Sequence, residues 1–271
     1  MHPISAVFGI VMIGLVTGVA RADDPQVTPG SKKLPLPGES FKINGRDAFV
    51  ILPSAAKPNT PWVWYAPTLR GLPAHSEVWM FRQFLDKGIA IAGIDVGESF
   101  GSPDGRKLYS VFYDHLVSSR GFGKKPCMLA RSRGGLMLYS WAVENPKSVG
   151  GVAGIYPVCN IASYPGLKRA CGAYGLTPDQ LKQQLETHNP VDRLKPLAEA
   201  RVPIFHIHGD NDRVVPLEAN SGLLAERYAA FGGPIELEVV KGQGHNMWKG
   251  WFESDRLVAF VIKHVIEANR E

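Results

Sequence analysis

The stretch Cys127-Met128-Leu129-Ala130-Arg131-Ser132-Arg133-Gly134-Gly135 decides how this chain is read. Residues 127–130 are continuously apolar and short, the pattern of a strand buried on both faces. From Gly135 to Glu144 the chain is apolar around most of a helix, with Leu136, Tyr139 and Val143 at helical spacing. Between the two lies a turn with a serine at its centre. A strand that passes so abruptly into a helix wants small side chains two positions before and after the residue at the apex. Here they are Ala130 and Gly134. Ser132 is therefore a candidate nucleophile raised on a strand-to-helix turn, with a helix N-cap as the competing account of the same serine.

Outward from this stretch, strands and helices alternate. Phe41-Lys42-Ile43, the turn pair Asn44-Gly45 and Ala48 to Leu52 predict a β-hairpin. Strands follow at residues 62–66, 89–96, 149–155, 203–207 and 235–240. Helical spacing marks residues 77–87, 108–119, 217–231 and 252–268. Apolar strands separated by helices imply parallel pairing with crossovers, so the expected fold class is α/β, a doubly wound, mostly parallel sheet with helices on both faces. One interval is too long for a simple crossover. Residues 156–202 contain a capped helix opened by Thr177-Pro178-Asp179-Gln180, and we expect a small cap insertion there that shapes the site.

The remaining features bound the function. The 271 residues are 45% hydrophobic and 20% charged, the composition of an ordinary globular domain rather than of a disordered or repetitive chain. Thirty Lys and Arg stand beside 25 Asp and Glu, with no basic run, so nucleic acid is not an expected partner. Residues 4–20 are almost wholly apolar and precede Ala20-Arg21-Ala22, which reads as a signal peptide of residues 1–22. An uncleaved N-terminal anchor is the lesser alternative, because the run is short for a span of roughly 20 apolar residues. We expect a secreted or periplasmic protein without stable membrane association once the signal is removed. Residues 23–40 hold Pro25, Pro29, Pro35 and Pro37 and read as a Pro-rich arm, and a single domain runs from 41 to 271. Export permits disulfides. Of Cys127, Cys159 and Cys171, a Cys159–Cys171 bridge is one option, and Cys127 belongs to the buried strand.

Two further strand ends carry chemistry. The strand Pro203 to Ile207 runs into His208-Gly209-Asp210-Asn211-Asp212-Arg213-Val214-Val215-Pro216, and Ile235 to Val240 runs into Lys241-Gly242-Gln243-Gly244-His245-Asn246. A serine, an acid and a histidine thus stand past successive strand ends in that chain order. From about Phe41 onward the chain resembles the α/β-hydrolase family, nearest its dienelactone-hydrolase and prolyl-oligopeptidase-like branches. The form G-x-x-D-x-V-V-P at Gly209 to Pro216 is similar to that family's acid loop and selects Asp212 over Asp210. Gly242 to His245 resembles its histidine loop. The first glycine of the family's G-x-S-x-G turn is Ala130 here, still a small residue.

The resemblance implies Ser132 as nucleophile, His245 as general base and then acid, and Asp212 as the group that holds the imidazole tautomer. An oxyanion would be met by the backbone N–H of Arg133 and of Thr68, with Leu69 as a near alternative and Ala66-Pro67 where the family commonly has His-Gly. Arg131 and Arg133 flank Ser132, and Arg70 lies in the expected oxyanion loop. They point either to recognition of an anionic, uronate-like ester or to pairing with carboxylates inside the fold. The Ser-Arg-x-Gly run also resembles the elbow of glucuronoyl esterases, whose longer pattern is otherwise missing. Trp248 is a candidate pocket wall, with core packing as its alternative.

His206-x-His208-x-Asp210 matches the beginning of a zinc-hydrolase motif, but Asn211 stands where the next ligand is needed. No cofactor and no metal are expected. The expectation is a serine hydrolase that cleaves carboxylic esters, including carbohydrate esters, through an acyl-enzyme. A prolyl-oligopeptidase-type peptidase and a non-catalytic hydrolase-like binding protein are the alternatives. Oligomeric state is not legible.

Overall fold

A computed structural model describes residues 25–270; residues 1–22, the expected signal peptide, lie outside the described residues. Within them, a nine-stranded sheet runs, in spatial order, Val27–Pro29, Glu39–Ile43, Arg46–Ile51, Ala90–Ile94, Trp62–Tyr65, Cys127–Arg131, Gly151–Ile155, Ile204–Gly209 and Ile235–Val240. β2 (Glu39–Ile43) and β3 (Arg46–Ile51) form the expected hairpin. Its two loop residues, Asn44 and Gly45, both have positive φ, the backbone that matches a two-residue turn to the twist of its strands. β1 (Val27–Pro29) pairs antiparallel with β2. The Pro-rich segment is therefore more than an arm: it supplies the edge strand, where a proline without an N–H costs no ladder bond.

β4 (Trp62–Tyr65), β5 (Ala90–Ile94), β6 (Cys127–Arg131), β7 (Gly151–Ile155), β8 (Ile204–Gly209) and β9 (Ile235–Val240) complete the sheet. β3 meets β5 antiparallel, and every pairing from β5 through β4 and β6 to β9 is parallel. The chain order runs one way from β4 to β5 and the other way from β4 to β6. Ligand crevices in open α/β sheets form at such a switch, and the turn after β6 opens beside the loop after β4.

Side chains of β4 show how the sheet divides the core. Trp62 and Trp64 face one side and Val63 and Tyr65 the other, all without solvent exposure. On the tryptophan side lie α2 (Pro103–Asp114), α3 (Gly134–Ala142) and α8 (Leu223–Ala230); on the tyrosine side, α1 (Val78–Asp86) and α9 (Asp255–Ala268). Trp64 packs against Trp141 of α3 and Tyr109 of α2 at centroid distances of 4.8 and 5.1 Å with the rings tilted by 57°, within the spacing that aromatic pairs favour. Between β7 and β8, residues 156–202 form the expected insertion with α4 (Leu167–Ala170), α5 (Pro178–Gln183), α6 (Leu185–His188) and α7 (Lys195–Glu199). Thr177 caps α5 through its hydroxyl, with Gln180 bonding back. Leu181, Val191 and Leu194 of this insertion join the tryptophan-side core, so it packs on the flank of the domain. The three cysteines are free thiols, which corrects the Cys159–Cys171 bridge: Cys159 is buried with its Sγ toward the Pro157 carbonyl, and Cys171 turns to the Lys168 carbonyl. Among the described residues no helix is long and apolar enough to cross a membrane.

The start of α3 is held against the end of β7. A Cβ added at Gly135 would stand 2.3 Å from the Val158 carbonyl oxygen and 2.9 Å from its nitrogen, both backbone atoms. Gly135→Ala is expected to lower stability by about 1–3 kcal/mol through this overpacking, read as a fall in the urea midpoint at unchanged slope.

Candidate active site

Ser132 has φ +48°, a left-handed conformation that a non-glycine residue adopts only where its surroundings enforce it. Two backbone bonds to the neighbouring strand do so: Ser132 N–H donates to the Ile155 carbonyl at 3.0 Å, and Val158 N–H donates to the Ser132 carbonyl at 2.8 Å. Smallness of the flanking residues is explained as well. A Cβ at Gly134 would meet Ala66 Cβ at 3.1 Å and Thr68 Cγ2 at 3.6 Å, so the first turn of α3 lies directly on the loop after β4.

The structure brings Ser132, His245 and Asp212 together. Ser132 Oγ and His245 Nε2 are 2.9 Å apart, and His245 Nδ1 and Asp212 Oδ2 are 2.8 Å apart. With the carboxylate an acceptor, Nδ1 carries the hydrogen and Nε2 is left to accept from the serine hydroxyl. Asp212 is nearly buried. Its Oδ1 accepts from the N–H groups of Val214 (2.9 Å) and Val215 (2.8 Å), and His208 Nε2 stands 3.4 Å from Oδ2. Burial alone would raise the pKa of this carboxyl, but hydrogen bonds from His208, His245 and Val215 outweigh it and hold the group well below the usual carboxylate range. The acid and histidine loops are locked to each other: Asn211 N–H donates to the Gln243 carbonyl at 2.9 Å, and a Cβ at Gly209 would come 2.1 Å from that same oxygen. That approach is the physical reason for a glycine three residues before the acid.

Ser132 and His245 open into a cleft of about 290 Å³ walled by Thr68, Leu69, Arg133, Tyr156, Tyr164 and Met247. Among the described residues, the backbone N–H groups of Arg133 and Thr68 donate to no backbone carbonyl. Both sit at the mouth of α3, where the helix end favours negative charge. Leu69 also lines the cleft, and among the described residues its N–H likewise donates to no backbone carbonyl.

Of the residues expected to meet substrate, Arg131 lines the cleft beside Ser132, whereas Arg70 and Trp248 lie outside it. Arg131 is ion-paired with the buried Glu77, lies over the Phe252 ring at 4.8 Å and reaches Met247 Sδ at 3.1 Å. Glu77 in turn accepts from Tyr65 Oη (3.0 Å), Ser76 Oγ (2.8 Å) and Ala74 N–H (2.9 Å). Burial works against the Arg131 cation, yet neighbouring Tyr65 and Glu77 outweigh it and hold its pKa above the ordinary guanidinium value. Arg133 pairs with Glu98. Arg70 is exposed and outside the cleft, offering only its carbonyl to Lys32 Nζ at 3.2 Å. Trp248 is half exposed, stands edge-on to Trp251 and does not line the cleft, and Met247 occupies the wall instead.

Tyr156 is the site residue that sequence reasoning passed over. It follows β7 directly at φ +36°, a strained value for an aromatic residue, and its ring lies 4.3 Å from the His245 ring. Its only signal in the sequence is its place just past a strand end. Tyr164, the insertion's other contribution to the cleft, and Glu77 carried no local signal at all.

The histidines of the zinc-like motif turn inward. His206 and His208 share one face of β8, as i and i+2 on a strand must, and both are wholly buried. Their side chains bond Tyr139, Ser221 and Val215, while Asp210 faces Gly242 N–H at 2.6 Å. Burial, with His208 beside it, pushes His206 down to about 3.

No family model matches the chain, and no curated protein is similar to it in sequence. Solved structures do resemble it. A Mycobacterium tuberculosis puromycin-hydrolyzing peptidase superposes with TM-score 0.63 at 14% identity, covering 84% of this chain and 37% of the peptidase. Porphyromonas gingivalis dipeptidyl peptidase 4 gives 0.66 at 13% identity, with 89% and 35% covered. Est1E from Butyrivibrio proteoclasticus gives 0.60 at 17% identity, with 85% and 98% covered. The chain thus spans little more than a third of the two peptidases and nearly the whole of Est1E. At these identities the likeness shows the fold, which is that of the α/β-hydrolases.

Two outcomes are expected from the buried ionisable groups. Arg131→Leu strands the Glu77 carboxylate and is expected to cost about 3–5 kcal/mol in chemical denaturation. For His206, the folded value lies below the unfolded one of roughly 6.5, so as pH falls from there toward about 3 the unfolded chain binds a proton that the folded chain refuses. Stability is lost across that window, and His206→Gln is expected to flatten the fall of melting temperature with acid.

Proposed function

We propose that the protein is a serine hydrolase of carboxylic esters acting through an acyl-enzyme. One observation carries the reading: the continuous hydrogen-bonded line from Ser132 Oγ through the His245 imidazole to Asp212, set on a strained strand-to-helix turn. Strain of this kind persists where function requires it, and a binding module has no use for all three groups in this order. His245 Nε2 takes the hydroxyl proton as Oγ attacks the acyl carbon. The imidazolium is stabilised by Asp212, and the oxyanion is met by the Arg133 and Thr68 N–H groups. His245 then returns the proton to the departing alcohol. Water, deprotonated by the same histidine, releases the acid and restores Ser132.

The expected substrate is a small-molecule or carbohydrate ester, and we place the protein outside the cytoplasm on the strength of residues 1–22, with no metal or organic cofactor, no nucleic-acid partner and no stable membrane association after signal cleavage. The cleft is small and its wall arginines are internally paired, which favours a neutral acyl group over a uronate. A peptidase of prolyl-oligopeptidase type is the second reading, favoured by the two similar peptidase structures.

A fluorophosphonate probe is expected to label the wild type and to leave Ser132→Ala unlabelled; an unlabelled wild type removes the catalytic claim. A panel of acetyl, feruloyl, methyl-uronate and peptide substrates then separates the readings, with turnover of esters expected to fall by roughly 10³-fold or more in Ser132→Ala. Arg133→Ala is expected to lower activity on matched neutral and anionic esters equally. A loss confined to the anionic ester reinstates the arginine as a recognition group.

A further inference from the structure

Behind the site runs a line of buried polar groups that the catalytic reading leaves unused. Tyr139 Oη and His206 Nε2 are 2.7 Å apart, His206 Nδ1 and Ser221 Oγ 2.9 Å, Ser221 Oγ and His208 Nδ1 2.8 Å, and His208 Nε2 and the Val215 carbonyl 2.8 Å. His208 Nε2 is also 3.4 Å from Asp212 Oδ2, the oxygen that His245 uses. Each of these side chains is buried, in a medium where an unmade hydrogen bond is costly.

The direction of every hydrogen bond follows from one fixed end. A carbonyl only accepts, so His208 Nε2 carries a hydrogen. A neutral His208 then accepts at Nδ1 from the Ser221 hydroxyl. Ser221 Oγ, having given its only hydrogen, accepts from His206 Nδ1–H. His206 Nε2 is left to accept from Tyr139, whose hydroxyl burial holds in the protonated form. All groups are satisfied and all are neutral. The reverse arrangement, with a cationic His208 donating at both nitrogens, forces Ser221 to donate to His206 and His206 to donate to Tyr139, whose own hydrogen then has no acceptor among the described residues.

We propose that His208 is a positioning residue for the acid of the site, and that Ser221, His206 and Tyr139 act by locking its Nε2–H tautomer. This rests on the reading of Ser132, His245 and Asp212 given above. Oδ1 of Asp212 is tied by two backbone N–H groups, and Oδ2 lies between His245 and His208, with Tyr156 the other ionisable side chain that faces this carboxylate. The one His208 Nε2–H, given chiefly to the Val215 carbonyl at 2.8 Å and shared with Oδ2 at 3.4 Å, does two things there. It keeps Oδ2 turned toward His245, and it withdraws charge from that oxygen, so that the carboxylate does not over-stabilise the imidazolium. The line also joins α3, which carries the serine turn, to the acid loop, because Tyr139 lies on α3.

The test is the pH profile of fluorophosphonate labelling, which requires neutral His245. His208→Leu is expected to slow labelling about tenfold on the plateau and to move the acid limb to higher pH, because an unopposed Oδ2 raises the affinity of the imidazole for its proton. His208→Gln presents an N–H near the Nε2 position and is expected to keep the acid limb of the wild type. Ser221→Ala unlocks the tautomer with little change of shape and is expected to move the limb in the same direction by less; it decides the matter where His208→Leu lacks the circular dichroism of the folded protein. An acid limb unmoved in folded His208→Leu or in Ser221→Ala, or moved equally by Gln and Leu, overturns the proposal. A wild type that takes no label at any pH overturns the catalytic reading itself and this proposal with it.

Discussion

The left-handed backbone at Ser132 constrains the rest of this structure. A φ of +48° in a serine is an unfavourable local choice, and it survives because the peptide groups on either side are bonded to the chain leaving β7. Those bonds require β6 and β7 to be adjacent and parallel, and they require Val158 to approach α3 so closely that Gly135 has no room for a Cβ. They also oblige Ala66 and Thr68 to close over Gly134. One turn therefore dictates a strand pairing, a helix start and the course of two neighbouring loops.

Charge is placed around this turn with the same economy. Two carboxylates are taken out of water near Ser132, and each is held by donors from all sides. Glu77 is met by Arg131, Tyr65, Ser76 and a backbone N–H, while Asp212 is met by two histidines and two backbone N–H groups. The first anchors the strand end that carries the serine. The second sets the imidazole. With Arg131 paired to Glu77 and Arg133 to Glu98, both arginines of the cleft wall have carboxylate partners inside the fold.

Much of this was legible in the chain because it is written locally. Strand-to-helix punctuation located Ser132, and the family-like glycine spacings located Asp212 and His245, where Gly209 and Gly244 each make room for the backbone of the other loop. The helices and the hairpin followed from periodicity and from Asn44-Gly45. What escaped was non-local. Glu77 has meaning only beside Arg131, and Tyr156 only beside His245, partners far away along the sequence. β1 escaped because prolines mark a segment as irregular, although an edge strand tolerates them. A bridge between Cys159 and Cys171 was open from spacing alone, but one side chain is drawn into the core and the other turns back on its own helix.

The position of β9 at the sheet margin has a consequence for how the molecule fails. His245 hangs from a strand paired on one side only, with a largely half-exposed face braced by Arg256 bridges to Glu236 and Glu238. Ser132 springs from a strand sheathed on both edges. Cooperative units at a sheet margin open at lower free energy than central ones. His245 thus belongs to a softer unit than Ser132, and partial fraying at the margin would part the two while the core around Trp64 stayed intact.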